Sequence, residues 1–132
     1  MRIGGCRNHR AGLDDGVLIK ENHIRATGGI TPAVAAARRR TAPMQLVEVE
    51  VTTLAELDEA IAAGADVVLV DNADLDGLRA AVAQAAERVR LEASGGVTLD
   101  TLAAVARTGV DYVSLGALTH SARAIDFSLE IL

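Results

Sequence analysis

Three cations and two histidines, Arg7, His9, Arg10, Lys20 and His23, stand within residues 4–23 of a chain whose formal net charge is -5. Cations gathered against the overall charge suit a small polyanion, because a carboxylate or phosphate answers to fixed donors close by. Arg10 offers a planar fork that matches a carboxylate, His9 beside it is a second donor, and Lys20 adds a point charge. Acids follow at Glu48, Glu50, Asp71 and Glu92, then glycine turns at Ser94-Gly95-Gly96 and Gly116-Ala117. Such turns let backbone N–H groups approach an anion, and a following helix N-terminus adds favourable partial charge. The implied chemistry is a clamp for an anion at one end, a phosphate cradle at the other, and carboxylates between them. Those carboxylates suit Mg²⁺ bridged to a polyphosphate. Zinc is not indicated, since Cys6 is the lone cysteine and His23 and His120 lack ligand-like neighbours in sequence. For both histidines the expectation is a structural role. Ser94 has no adjacent histidine, so nucleophilic catalysis is not indicated either.

The elements that must position these residues are legible from residue 47 onward. Short β-branched runs at Val47 to Val51, Val67 to Val70, Val89 to Ala93 and Tyr112 to Leu115 alternate with Ala- and Leu-rich amphipathic segments. That spacing leaves room for the helical crossovers that parallel strands require. With a short strand at Val17 to Lys20, five strands are expected. Thr53-Leu54-Ala55-Glu56 reads as a capping box, and Gly64 and Gly109 fall where helices end in a left-handed residue. Thr31-Pro32 reads as a cap followed by proline at the first helical position, opening a helix to about Arg40 that Ala42-Pro43 stops. Arg38-Arg39-Arg40 reads as its solvated end. A last helix is expected over Ser121 to Leu132, with Ile125, Leu129 and Leu132 on one face.

Parallel α/β folds bind ligands at the C-terminal ends of their strands, where Lys20, Glu50, Asp71, Ser94 and Gly116 fall. In Val47-Glu48-Val49-Glu50-Val51 the period of two puts both glutamates on one face. Valines against helices leave the glutamates facing inward, where carboxylates need a cation, metal or hydroxyl. Asp71 also fits a helix cap, so pattern alone leaves its role open.

With 132 residues and half of them hydrophobic, the chain is at most one domain with a sizeable core. One Tyr, one Phe and no Trp leave no stacking platform for single-stranded nucleic acid, and the acidic balance argues against a phosphate-backbone partner. There is no signal-like N-terminus and no long apolar run, so no membrane association and a cytoplasmic location are expected.

The stretches GGCRNHRAGLDDGVLIKENH, VEVEVTTLAEL, LVDNADLDGL and LEASGGVTLDTLAAVARTGVDYVSLGALTHSARAIDFSLEI together resemble the quinolinate phosphoribosyltransferase family. The resemblance implies transfer of ribose 5-phosphate from phosphoribosyl pyrophosphate to quinolinate, with Mg²⁺, releasing pyrophosphate and CO₂ and giving nicotinate mononucleotide for NAD synthesis. It implies that His9, Arg10 and Lys20 contact the quinolinate carboxylates, with Glu48 and Glu92 as supporting acids. Glu50 and Asp71 would then hold the ribose hydroxyls and the Mg²⁺-pyrophosphate end, and Ser94, Gly95, Gly116 and Ala117 the 5-phosphate. Cys6-Arg7 stands where the family has a further glycine. The family's fold is a TIM-like phosphate-binding α/β barrel, preceded by an N-terminal sandwich domain and a first barrel strand with a Thr-Arg-Lys motif. This chain shows neither, so the resemblance implies that residues 1–132 are the C-terminal portion of the barrel, a partial parallel α/β barrel working in a homo-oligomer. In the family an arginine also comes from a neighbouring subunit. The other reading is a non-catalytic half-barrel that binds phosphorylated ligands or completes a partner chain.

Overall fold

The computed structural model describes residues 2–131. Five strands, β1 (Val17–Ile19), β2 (Val47–Val51), β3 (Val67–Asp71), β4 (Arg90–Ser94) and β5 (Tyr112–Val113), form one parallel sheet in the order β1-β2-β3-β4-β5. Each crossover adds the next strand at the same edge. That is the order of staves in a barrel wall, whereas a doubly wound sheet reverses direction. The helices are α1 (Glu21–Thr27), α2 (Ile30–Arg38), α3 (Leu54–Ala63), α4 (Leu75–Ala85), α5 (Leu99–Ala106) and α6 (Ala117–His120).

One face of the sheet carries the core. Val47, Val49 and Val51 of β2, Val68 and Val70 of β3 and Leu91 and Ala93 of β4 pack with Ile30, Val34, Leu57, Ala60, Leu78, Ala81 and Val105 of the helices. The opposite face holds Glu48, Glu50, Val67, Leu69 and Glu92, and parallel register aligns Glu48 with Val67 and Glu50 with Leu69 and Glu92. Alternation in β2 thus separates valine core from carboxylate face as expected.

Two aspartates seat the strands from below. Asp66 Oδ2 accepts from the Val47 amide at 2.7 Å and from Arg38 Nη2 at 2.7 Å, and Asp111 Oδ2 accepts from the Leu91 amide at 2.8 Å. Each lies just before one strand and fastens the first residues of its neighbour. The concavity lined by Asp66, Arg88, Arg90, Gly109 and Asp111 lies at these N-terminal strand ends. Its aspartates are already committed to the backbone, and the chemistry lies at the other end.

The capping box holds. The Thr53 side chain accepts from the Glu56 amide, and Gly64 ends α3 at φ 85°. Burial opposes ionisation of Glu56, but hydrogen bonds from Thr52 and Thr53 outweigh it and hold the carboxyl below its ordinary range. Gly109 is left-handed at φ 98°, but lies beyond the α5 cap residue Arg107.

Two expectations are corrected. Helix α2 begins at Ile30 with Gly29 as its cap and ends at Arg38, so Thr31 is not the cap and Pro32 lies at the third helical position. Gly28 and Gly29, at φ 84° and 149°, turn the chain out of α1, and the Thr31 amide and hydroxyl both donate to Glu59 Oε1 of α3. Proline is tolerated there because first-turn amides have no intrahelical acceptor. The second correction is at the C-terminal end, where residues 121–131 form no helix. A short amphipathic helix depends on packing of its apolar face, and Ile125 and Leu129 are exposed. Leu132 lies outside the described residues.

Among the described residues no further strand pairs with β1 or β5, and Ile125, Phe127, Leu129 and Ile131 form an exposed apolar run. Unpaired edges and apolar surface both promote association. The 132-residue chain is therefore expected to exceed monomer mass in light scattering. Replacing Phe127 and Ile131 with serine should reduce the excess; a monodisperse parent would refute the expectation.

Candidate active site

The carboxylate face and the loops above it bring most of the singled-out residues together. His9, in the irregular segment before β1, lays its ring over this face: Nε2 lies 2.9 Å from Glu48 Oε2 and 3.5 Å from Glu92 Oε2. The two glutamates are 8% and 5% exposed, while the His9 side chain keeps 32% of its surface in solvent. Glu92 Oε1 accepts from the Ser114 hydroxyl, just past β5, whereas Glu48 Oε1 is buried without a hydrogen-bond partner. Burial, and next the Glu92 carboxylate, lift the Glu48 carboxyl from 4.5 to about 7 against the opposing pull of His9. A proton shared between neighbouring carboxylates relieves their repulsion.

Lys20 follows β1, and its Nζ lies 2.9 Å from Glu50 Oε2, so a cation read for the substrate rests on an acid read for the ribose. The Lys20 backbone is pinned, since its amide donates to His23 Nδ1 at 2.9 Å across the first turn of α1. His23 thus has the expected structural role. Arg10 is half-buried and takes part in no ion pair among the described residues.

Asp71 ends β3, and the cap of the following helix is Asp74, whose Oδ1 accepts from the Gly77 amide at 2.7 Å. The capping reading of Asp71 is therefore excluded. Asp71 Oδ2 instead accepts from Asn72 Nδ2 at 2.6 Å, leaving the carboxylate at the rim. Glu50 and Asp71 are both half-buried oxygen donors at adjacent strand ends, a donor set that fits a hard cation such as Mg²⁺.

At the phosphate end, Ser94 closes β4 and Gly95 follows at φ 85°. A Cβ on Gly95 would collide with Asn72 Oδ1 and lie 2.7 Å from the Asn72 amide nitrogen, so this glycine is required by conformation and by space. Gly116 is different. It sits at the N-terminus of α6 in right-handed conformation, but a Cβ there would lie 2.8 Å from His120 Nε2. Glycine at this position lets the His120 ring lie against the backbone, while His120 Nδ1 is 2.7 Å from Ser121 Oγ.

Three residues at the site were given no binding role from sequence: Asn72 and Ser114, which fall at the C-terminal strand ends, and His120, for which a structural role is expected. The tolerance of asparagine for left-handed backbone was a signal for Asn72, observed at φ 53°. For Ser114 the strand end was the signal but its contact with Glu92 was not legible, and nothing local marked His120.

A family model described as "Quinolinate phosphoribosyl transferase, C-terminal domain" matches residues 1–130. A Bacillus subtilis (strain 168) relative, called a probable carboxylating nicotinate-nucleotide pyrophosphorylase, is 47% identical over 99% of this chain and 45% of its own length. The carboxylating nicotinate-nucleotide pyrophosphorylase of Homo sapiens is 43% identical over 99% of this chain and 45% of its own. A solved nicotinate-nucleotide pyrophosphorylase structure from Francisella tularensis superposes with a TM-score of 0.88 at 50% identity, covering 95% of this chain and 44% of that one. The chain thus spans less than half the length of these relatives. With five staves in barrel order, acids and glycine turns at their C-terminal ends, and a family match across almost every residue, this chain belongs to the quinolinate phosphoribosyl transferase C-terminal domain family.

Proposed function

We propose that this chain provides the greater part of a site that transfers ribose 5-phosphate from phosphoribosyl pyrophosphate to the ring nitrogen of quinolinate, with loss of pyrophosphate and CO₂. The observation that carries this reading is the set of basic side chains resting on carboxylates at the sheet's inner face, Lys20 on Glu50 and His9 on Glu48 and Glu92. A dicarboxylate entering there replaces carboxylate partners already in place, so the clamp is held in position before substrate arrives. Arg10, His9 and Lys20 hold the two substrate carboxylates. Glu50, released from Lys20, and Asp71 accept from the ribose hydroxyls and hold the Mg²⁺ of the pyrophosphate end. When bound, Mg²⁺ neutralises the departing pyrophosphate. The Ser94 hydroxyl and the backbone at Gly95, Gly116 and Ala117 fix the 5-phosphate. The C1–oxygen bond to pyrophosphate breaks as the ring nitrogen bonds to C1, and these contacts keep the two centres aligned.

The same reading places the protein in the cytoplasm as a homo-oligomer, in keeping with the absence, among the described residues, of any helix able to cross a membrane. Its test is selective. In an assembly that converts quinolinate, Arg10→Ala or Lys20→Ala is expected to weaken quinolinate binding by about ten- to a hundredfold, the worth of roughly 1.5 to 3 kcal/mol for a charge-assisted contact. Phosphoribosyl pyrophosphate binding should change little. Equal losses for both substrates would sink the assignment, and phosphate-ligand binding without any turnover would favour a non-catalytic half-barrel.

A further inference from the structure

Alignment of the two reacting centres requires the 5-phosphate end and the Mg²⁺-pyrophosphate end to be held at a fixed separation, and a misplacement of about 1 Å costs on the order of a hundredfold in rate. Resting on the reading above, we propose that Asn72 is the positioning residue that sets this separation. It locks the Asp71 carboxylate at the end of β3 to the Ser94-Gly95 turn after β4, acting through both and touching neither substrate.

Three contacts carry the assignment. Asp71 and Ser94 are partners in the parallel register, so the two ends of the site start side by side. Asn72 leaves β3 with its backbone amide donating to the Ser94 carbonyl at 3.0 Å, which ties the strand ends through the main chain. Its side chain then serves both neighbours. Nδ2 donates to Asp71 Oδ2 at 2.6 Å, while Oδ1 occupies the side of Gly95 where a Cβ would stand. No ion pair among the described residues involves Asp71, and α4 is capped by Asp74, so the Asn72 amide is the group that fixes this carboxylate.

The alternative is that asparagine only supports a tight turn. Glycine would adopt the left-handed backbone at φ 53° at lower cost, and Asn72 is exposed, so neither conformation nor packing calls for its side chain. What asparagine adds over glycine is a donor aimed at Asp71 and an oxygen seated on Gly95. The first spends one carboxylate oxygen and stops the rotation of the group, leaving the other oxygen at the rim. The second keeps the Gly95 turn from sinking toward β3. A ligand that spans Asp71 and the cradle meets both already in place, so binding at one end does not have to order the other.

Asn72→Gly keeps the left-handed turn and the main-chain bond to Ser94 and removes only the side chain. In an assembly that converts quinolinate, phosphoribosyl pyrophosphate binding in Mg²⁺ is expected to weaken about tenfold and kcat to fall about tenfold, with quinolinate affinity unchanged. Asn72→Asp keeps size and left-handed tolerance but sets a like charge beside Asp71 in place of the donor, and the same losses are expected. The decisive readout is a double-mutant cycle: on an Asp71→Asn background, Asn72→Gly should cost less than about threefold further, because the carboxylate it holds is gone. A role in the turn alone would weaken both substrates and add in full to the Asp71 loss. Either of those results, or parent-like kinetics in both variants, overturns the proposal. A parent assembly that converts no quinolinate would refute the transferase reading itself, and is told apart because it shows before any variant is made.

Discussion

Glu48→Gln is expected to make the folded chain more stable at pH 8 than the parent, by about 3 kcal/mol. The reason is linkage. The folded state holds the Glu48 proton up to about pH 7, whereas a glutamate free of burial loses it near 4.5. Below 4.5 both states are protonated and nothing is lost. Between these values the unfolded chain releases its proton first, so stability falls as pH rises. Above the folded value the full difference is felt, at about 1.4 kcal/mol per unit of pKa. Glutamine carries no such penalty at any pH, and its amide can donate to Glu92. Urea unfolding at pH 5, 6, 7 and 8 should show a declining midpoint for the parent and a flatter one for the variant. Identical slopes would mean that Glu48 ionises normally in the folded chain.

Asp71→Asn and Asp74→Ala should separate chemistry from structure within four consecutive residues. Asp71 is not a cap, and asparagine preserves its size and an acceptor oxygen, so stability should hold, and under the proposed function turnover should fall on the order of a hundredfold through lost charge at the pyrophosphate end. Asp74 caps α4 through the Gly77 amide, so its removal should cost about 1 kcal/mol of stability and leave turnover of the folded enzyme unchanged. The reverse pattern, with Asp74 governing rate and Asp71 silent, would remove Asp71 from the site.

What could be read from the sequence follows from which interactions are local. The alternation in β2, the capping box at Thr53 and the glycine after Ser94 are set by near neighbours, and each holds in the structure. The inward face of Glu48 was legible for that reason. Its partner was not, because His9 reaches it from an irregular segment with no period to extrapolate. Asp66 and Asp111 resembled ordinary loop acids, although each fastens the strand beside its own. Helix α1 gave little warning, since its first turn is closed by His23 rather than by a serine, threonine or aspartate. The terminal helix failed for the opposite reason: Ile125 and Leu129 have the right spacing but no surface to bury against.

The strict alternation of β2 also acts as a registration key for assembly of the sheet. Sliding β2 by one residue would drive Glu48 and Glu50 into the valine layer against the helices, at several kcal/mol for each unpaired buried charge. Strand β3 offers no such proofreading, because Val67-Val68-Leu69-Val70 presents nearly the same surface either way up. Its alignment is inherited from the neighbour that cannot slip, through the Asp66 carboxylate seated on the Val47 amide. The two acids of β2 therefore also exclude misaligned sheets, and neutralising both at once should broaden the set of structures the chain can adopt.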